Sequence, residues 1–308
     1  MQVGFGVPIS GAWATPGNQL RVAGRAEALG YHSLWTFQRL LVPVQPDARA
    51  GVEAYRSVLD AVVSLAFVAG HTSRIRLGLA VLNLPFFSPP LLAKQLATLD
   101  VLSGGRLDVG LGVGWSPVEF AATGAAERQR GARAEEFLRV LRALWTQDVV
   151  AFEGRFYRVP ASRFAPKPVQ RPHPPLLLGG AAEAALRRAG RLADGWISAS
   201  TADLTRLAEP IGTVKQAARE AGRDPEALRF VTRGVVRARP GGEPGPGRRP
   251  LSGSFEQIRG DLDGLRAQGV TEVFYDLNYD PEVGSPDADP AEALRRAEAT
   301  LEALAPGA

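Results

Sequence analysis

The sequence predicts a single (β/α)8 barrel, an α/β fold with short insertions at its C-terminal face. Short apolar strand patterns alternate with longer stretches of helical spacing, and no polar linker interrupts the alternation. One domain of this kind accounts for the whole of residues 1–308, since such barrels run to about 250 residues and beyond as one unit.

The elements follow in order. Residues 3–8 form a short apolar strand, residues 17–29 have helical spacing ending at Gly30, and "YHSLWTF" (31–37) is strand two. Residues 55–70 read as a helix, "IRLGLAVL" (75–82) as strand three, and Ser88-Pro89 caps a helix running to about residue 102. "RLDVGLGVG" (106–114) is strand four. Ser116-Pro117 opens a helical region that residues 132–145 continue. A hairpin-like segment (149–159) with its turn at Glu153-Gly154 begins an insertion of about 149–174, which ends in a Pro-rich connector. Residues 174–180 are strand five, followed by a helix over 181–193 and strand six at 194–200. A helix over 204–222 carries an expected proline kink at Pro210, and residues 228–239 are strand seven. Residues 239–253 are too rich in Pro and Gly for regular structure, and at the C-terminal face a mobile lid is the natural expectation. A Ser254–Gln257 capping box opens the next helix, residues 271–277 are strand eight, and Asp289-Pro290 with Glu292 starts the last helix.

Composition narrows the function classes. Apolar residues make up 45% and charged residues 22% of the chain, as in ordinary soluble globular proteins. The net charge is only +4, arginine is dispersed, and no basic run stands out, so nucleic acid is not an expected partner. A mild preference for anionic small molecules stays open. Without cysteine there is no disulfide, thiolate nucleophile or Cys-based metal site, and no metal is expected. The N-terminus lacks a signal-peptide pattern and no apolar run approaches about 18 residues. A cytoplasmic protein without a membrane segment is expected.

Strand four is unusual. Gly110, Gly112 and Gly114 share one face, with Leu107, Val109, Leu111, Val113 and Trp115 on the other. In a barrel the Leu/Val face meets the outer helices and the stripped face looks inward. Gly4 and Gly6 in strand one, and Gly78 and Ala80 in strand three, do the same. A flat ligand pressed against this face is one reading; close approach of a neighbouring side chain is the other. A dinucleotide or S-adenosylmethionine turn is a weaker third reading, because no acidic residue ends a following strand about 20 residues on.

"LLAKQLATLDVLSGGRLDVGLGVGWSPVEF" (91–120) resembles the signature of the bacterial luciferase-like monooxygenase superfamily, barrel enzymes that use FMN or the deazaflavin F420. Supporting stretches are "SLWTF" (33–37), "TSRIRLGLAVL" (72–82), "RGARAEEFLRVLRALW" (130–145), "FEGRFYRV" with "PKPVQRPHPPLLLGG" (152–180) and "RLADGW" (191–196). The style is most similar to the F420-dependent oxidoreductase branch.

That resemblance implies a non-proline cis peptide at Ala80-Val81 behind the cofactor ring. It implies further cofactor contacts at Asn83, Gly112, Val113, Gly114, Trp115 and Glu119, and a phosphate held by the Gly179-Gly180-Ala181 turn. Ser116 to Glu119 also matches an S-x-x-E capping box, and capping is read as the main role of Glu119. Where relatives that protonate a substrate carry an acid and a histidine, this chain has Gln38 and Arg39, which are expected to orient or polarise an acceptor. His32, His71 and His173 fall in connectors or at a strand start and are read as packing or surface residues. Tyr275, Asp276 and Asn278 at the end of strand eight are reserve candidates at the mouth, and Arg248 and Arg249 can attract the cofactor's acidic tail.

The expected activity is F420-dependent hydride transfer to or from a small organic substrate. An FMN-dependent monooxygenase is the alternative, and a barrel that binds flavin without turnover is a further one. Homodimers are common among such relatives.

Overall fold

The computed structural model describes residues 1–45, 52–239, 241 and 247–307. Eight parallel strands close into a barrel: β1 (Gln2–Gly6), β2 (Ser33–Thr36), β3 (Arg76–Leu79), β5 (Leu107–Gly112), β8 (Leu176–Gly179), β9 (Gly195–Ile197), β10 (Arg229–Val235) and β13 (Glu272–Asp276). Pairing of β1 with β13 and of β3 with β5 shuts the ring. The two-residue strand β4 (Leu82–Asn83) continues β3 alongside β5. The hairpin β6 (Val149–Glu153) and β7 (Arg158–Arg163) lies outside the barrel, as does the small parallel pair β11 (Arg237–Ala238) and β12 (Ser252–Gly253).

The helices are α1 (Pro16–Ala28), α2 (Ala61–Ala69), α3 (Pro89–Leu102), α4 (Pro117–Thr123), α5 (Arg130–Thr146), α6 (Glu183–Leu192), α7 (Ala208–Glu220), α8 (Phe255–Ala267), α9 (Pro281–Gly284) and α10 (Pro290–Ala303). Side-chain oxygens of Thr15, Asp60, Ser254 and Asp289 accept first-turn N–H groups, each cap contributing about 1 kcal/mol. Ser254 and Gln257 complete the expected capping box.

Four local expectations are corrected. The second helix begins at its Asp60 cap, leaving Tyr55 in a 3-10 turn, Glu53–Tyr55. Pro210 sits in the first turn of α7, where its missing N–H has no intrahelical partner to lose, so no kink is required. Strand three breaks after Leu79 and resumes at Leu82. In the Pro/Gly loop Ser252–Gly253 is β12, while residues 240 and 242–246, on which the lid expectation rests, lie outside the described residues.

Outward side chains such as Leu77, Val109, Leu111 and Phe230 join Leu65, Leu96, Leu138 and Val214 of the helices in one continuous core. The barrel interior is layered. At the N-terminal end Asp108, fully buried, pairs with Arg76 at 2.7 Å and Arg229 at 2.6 Å, and Arg229 also holds Glu272 at 2.8 Å. Burial pushes the Asp108 carboxyl up, but the two guanidiniums outweigh it and hold it below its ordinary value. Above this charged layer Trp35 stacks on Phe274 at 5.1 Å among Leu177, Ile197, Val231 and Ala80. The interior is therefore plugged from below, and only the C-terminal mouth is open to a ligand.

Candidate functional site at the barrel mouth

The mouth is built around the break in strand three. The Ala80–Val81 peptide is cis, and the chain resumes as β4 against Leu111 and Gly112. This bulge is what presses on the stripped strand. A Cβ on Gly110 would lie 1.9 Å from the Leu79 carbonyl oxygen, and one on Gly112 would lie 2.7 Å from Val81 Cγ2. Gly179 closes the same cradle, its Cβ position 3.3 Å from Val81 Cγ1. The other bare positions are filled too: a Cβ on Gly78 would lie 2.2 Å from the Trp35 ring, one on Gly4 2.3 Å from the Ser33 hydroxyl, and one on Gly6 2.9 Å from the Asp276 carboxylate. Of the two readings of the stripped face, close approach of the chain's own atoms is the one the structure shows inside the barrel. Val81 is partly exposed at the mouth, with Val113, Gly114, Trp115, Gly179 and Gly180 also partly exposed around it.

Two buried arginines brace the rim. Arg39 lies in the corner formed by the adjoining rings of Tyr55 (4.3 Å) and Trp115 (4.5 Å), and its Nη1 lies 3.0 Å from Glu119 Oε2. Its Nε is buried without a partner. Glu119 Oε1 also accepts the Leu40 N–H at 2.7 Å. Ser116 makes no side-chain cap, so the capping reading of Glu119 is corrected: its carboxylate ties the Gln38–Leu41 segment to α4. A charged partner across the fold outcompetes a neutral local cap. Gln38 accepts the Asn83 N–H at 2.9 Å through Oε1, and no protein acceptor takes its amide N–H2 among the described residues.

Arg233, which sequence reasoning missed, is the second brace. Its guanidinium lies 4.4 Å from the rings of both Phe37 and Tyr279, bonds Asp276 Oδ2 through Nε at 2.7 Å and reaches the Ala80 carbonyl at 3.2 Å. Burial works against its charge, yet Tyr279 and Asp276 keep its pKa above the ordinary arginine value. Burial likewise drives the Tyr279 hydroxyl upward, and Tyr279 bonds Tyr55 at 3.2 Å. The one available signal was register: Arg229, Val231, Arg233 and Val235 share the inward face of β10.

Asp276 and Asn278 do reach the mouth, Asn278 bonding Asp276 and the Val7 carbonyl at 2.9 Å each. Tyr275 does not. It points outward into the helix-facing core, where burial raises its hydroxyl to about 12, and it is withdrawn as a candidate. Arg248 is spent on Asp261 at 2.8 Å, while Arg249 is exposed. His71 bonds the Phe67 carbonyl, and His173 lies against Trp145 and Arg142, both away from the mouth.

The Gly179–Ala181 turn leads into α6, whose N-cap Ala182 offers no side-chain cap; Gly180 has φ +131° and its carbonyl accepts Trp196 Nε1 at 2.8 Å. First-turn N–H groups left without a side-chain cap suit a phosphate. Beyond Arg233 a cavity of about 280 Å³ opens between the ends of β9 and β10, lined by Ser200, Thr201, Asp203, Arg237 and Arg249 among others. A Val81 floor in a glycine cradle and an uncapped turn fit a flavin-type ring with a phosphate. Among the described residues no three His, Asp or Glu side chains converge as a metal would need, and no helix is long and apolar enough to cross a membrane.

Comparison with known proteins agrees with this architecture. The family described as luciferase-like monooxygenase matches residues 3–243. An uncharacterized protein of Mycobacterium bovis is 37% identical over 208 residues, 65% of this chain and 73% of its own. An FMNH2-dependent dimethylsulfone monooxygenase of Pseudomonas putida is 40% identical over 152 residues, 48% of this chain and 41% of that protein. Among solved structures, a monooxygenase from Streptomyces bottropensis superposes with TM-score 0.80 at 25% identity, covering 99% of this chain and 98% of that one. An F420-dependent secondary alcohol dehydrogenase shares the fold, with TM-score 0.76 at 17% identity and 98% coverage of both chains.

Proposed function

The chain belongs to the luciferase-like monooxygenase family, and on that premise we propose that it is an oxidoreductase that uses the deazaflavin F420 to move a hydride to or from a small organic substrate. When bound, the cofactor supplies the hydride-carrying carbon; the protein supplies position and field. Val81, Asn83, Gly112, Val113, Gly114 and Trp115 would hold the ring, and Gly179, Gly180 and Ala181 the phosphate.

The observation that carries this reading is that the two buried carboxylates at the mouth are already committed. Glu119 is paired with Arg39 and Asp276 with Arg233. Among the described residues no spare buried carboxylic acid is left there to deliver a proton, and hydride transfer on the cofactor side requires none. The Gln38 amide, fixed through its Oε1, has donors to spare, and it would orient a carbonyl or imine acceptor. Arg39 is held against two adjoining rings and by Glu119, and it contributes fixed positive charge at short range rather than a mobile contact.

A second reading, FMN-dependent oxygenation on the same floor, is favoured by the likeness to the dimethylsulfone monooxygenase. Titration of the full chain with F420 and, separately, FMN distinguishes the two, followed by tryptophan fluorescence with Trp115 as the reporter at the mouth. Tight F420 and weak FMN binding is expected, with most of the quenching lost in Trp115→Phe. Tight FMN binding alone replaces the first reading with the second, and binding of neither overturns both.

A further inference from the structure

We propose that the cavity between the ends of β9 and β10 is an anion subsite that takes the carboxylate or phosphate group of the substrate. That an anion binds here needs nothing from the reading above; that the anion belongs to the substrate rests on it.

The charge balance of the cavity is the first argument. Arg233, Arg237 and Arg249 line it, against the single carboxylate of Asp203. Arg233 is matched by Asp276, and Asp203 is turned to the N–H and hydroxyl of its own Thr205. Arg237 and Arg249 have no carboxylate within ion-pair distance among the described residues. Guanidiniums that no carboxylate neutralises give the cavity a positive potential that favours an anion. A second observation is that Arg237 Nε is shut away from solvent and from the cavity with no hydrogen-bond partner, so the protein does not satisfy this guanidinium through that atom.

The site is also built on ordered backbone. Pairing of β11 with β12 fixes Arg237, whose N–H donates to the Leu251 carbonyl at 3.1 Å. The neighbouring Arg248 is clamped by Asp261, which also accepts the Leu251 N–H at 2.7 Å, so Arg249 follows from an anchored turn. Ser200 and Thr201 add hydroxyls. Arg233 joins the cavity to the site proper, because the same guanidinium that lines it reaches the Ala80 carbonyl at 3.2 Å. A volume of about 280 Å³ suits a small organic anion rather than a ring with its tail. The phosphate turn lies elsewhere, at the end of β8.

Calorimetric titration of the full chain with inorganic phosphate and with succinate, at low ionic strength and with succinamide as uncharged control, tests the subsite. Both anions should bind saturably and succinamide should not. Arg237→Gln and Arg249→Gln should each weaken anion binding about tenfold, as loss of one charge-assisted contact does. Arg295→Gln, which removes an exposed helical ion pair, should leave it unchanged. Equal anion binding by wild type and both cavity variants, or binding of succinamide, overturns the subsite.

Titration with F420 and with its riboside lacking phosphate and tail separates the sources. If Arg237→Gln weakens F420 and spares the riboside, the anion is the cofactor's and the substrate assignment falls. Unchanged affinity for both, with succinate binding lost, supports it. Anion binding by a chain that takes neither F420 nor FMN would sink the oxidoreductase reading, and the substrate assignment with it, while the subsite stands.

Discussion

Alanine at Gly110 and at Gly112 separates the two meanings of the bare strand face. At position 110 the new Cβ would stand 1.9 Å from the Leu79 carbonyl oxygen and 3.1 Å from its carbon. Ordinary contact begins at 3.4 Å, and the obstacle is backbone, so two hydrogen-bonded strands must part by more than an ångström. Overpacking typically costs about 1–3 kcal/mol, and a backbone obstacle belongs at or above the top of that range. With an unfolding entropy of about 0.65 kcal/mol/K for a chain of this length, 3 kcal/mol lowers Tm by about 5 °C. At position 112 the obstacle is Val81 Cγ2 at 2.7 Å, on a partly exposed side chain that can yield. About 1 kcal/mol is expected there, and Val81→Ala in the same chain should recover most of it. Thermal unfolding of the cofactor-free single and double variants, followed by circular dichroism, measures all three. Wild-type stability in Gly110→Ala would refute the packing argument, and so would failure of Val81→Ala to offset Gly112→Ala.

Further expectations concern the braces and the acid limb of stability. Glu119→Gln keeps an acceptor for Leu40 but strands the Arg39 charge, at a cost of about 3 kcal/mol, and adding Arg39→Met should restore more than half. Additive losses in denaturant unfolding of that cycle would contradict the pairing. Arg233→Lys should cost about 2 kcal/mol despite retaining the charge, because a compact ammonium cannot cover both adjoining rings of Phe37 and Tyr279 and still bond Asp276 and the Ala80 carbonyl; an unshifted urea midpoint would argue against the brace. Burial raises Glu27, but N–H groups of Ile75, Arg74 and Ser73 outweigh it and hold its carboxyl at about 2, against 4.5 ordinarily. A depressed folded-state pKa contributes stability that is complete above pH 4.5 and disappears as pH falls through 2. Urea midpoints of Glu27→Gln should accordingly vary less than wild type between about pH 5 and 2, and parallel curves would exclude this linkage.

Particular residues show how far the sequence could be read. Ser254 with Gln257 and Asp289 with Glu292 were legible as helix starts because cap and target lie within one turn. The same logic failed at Glu119. Its S-x-x-E spacing was a local pattern, but the carboxylate found a guanidinium 80 residues away in sequence, and a charged partner outweighs a neutral cap. Gln38 and Arg39 were singled out from the sequence and both lie at the rim, yet their tethers, Asn83 and Glu119, come from other strands and helices. Arg233 was overlooked because Phe37, Asp276, Tyr279 and Ala80 converge on it from three distant segments. Tyr275 was misplaced by one register step, which in a strand turns a side chain from the mouth to the helix-facing core.

By itself the sequence determined the number and order of the βα units, most helix starts and the existence of a glycine-stripped strand, since periods of two and 3.6 residues and first-turn caps are local properties. Tertiary structure alone decided what the stripped face is for. Glycine records that something comes close without recording what, and here it is the Leu79–Val81 bulge of the adjacent strand. It alone decided, too, which charges are spent on one another and which, like those of Arg237 and Arg249, remain for a ligand, because that depends on distances between side chains from segments remote in the chain.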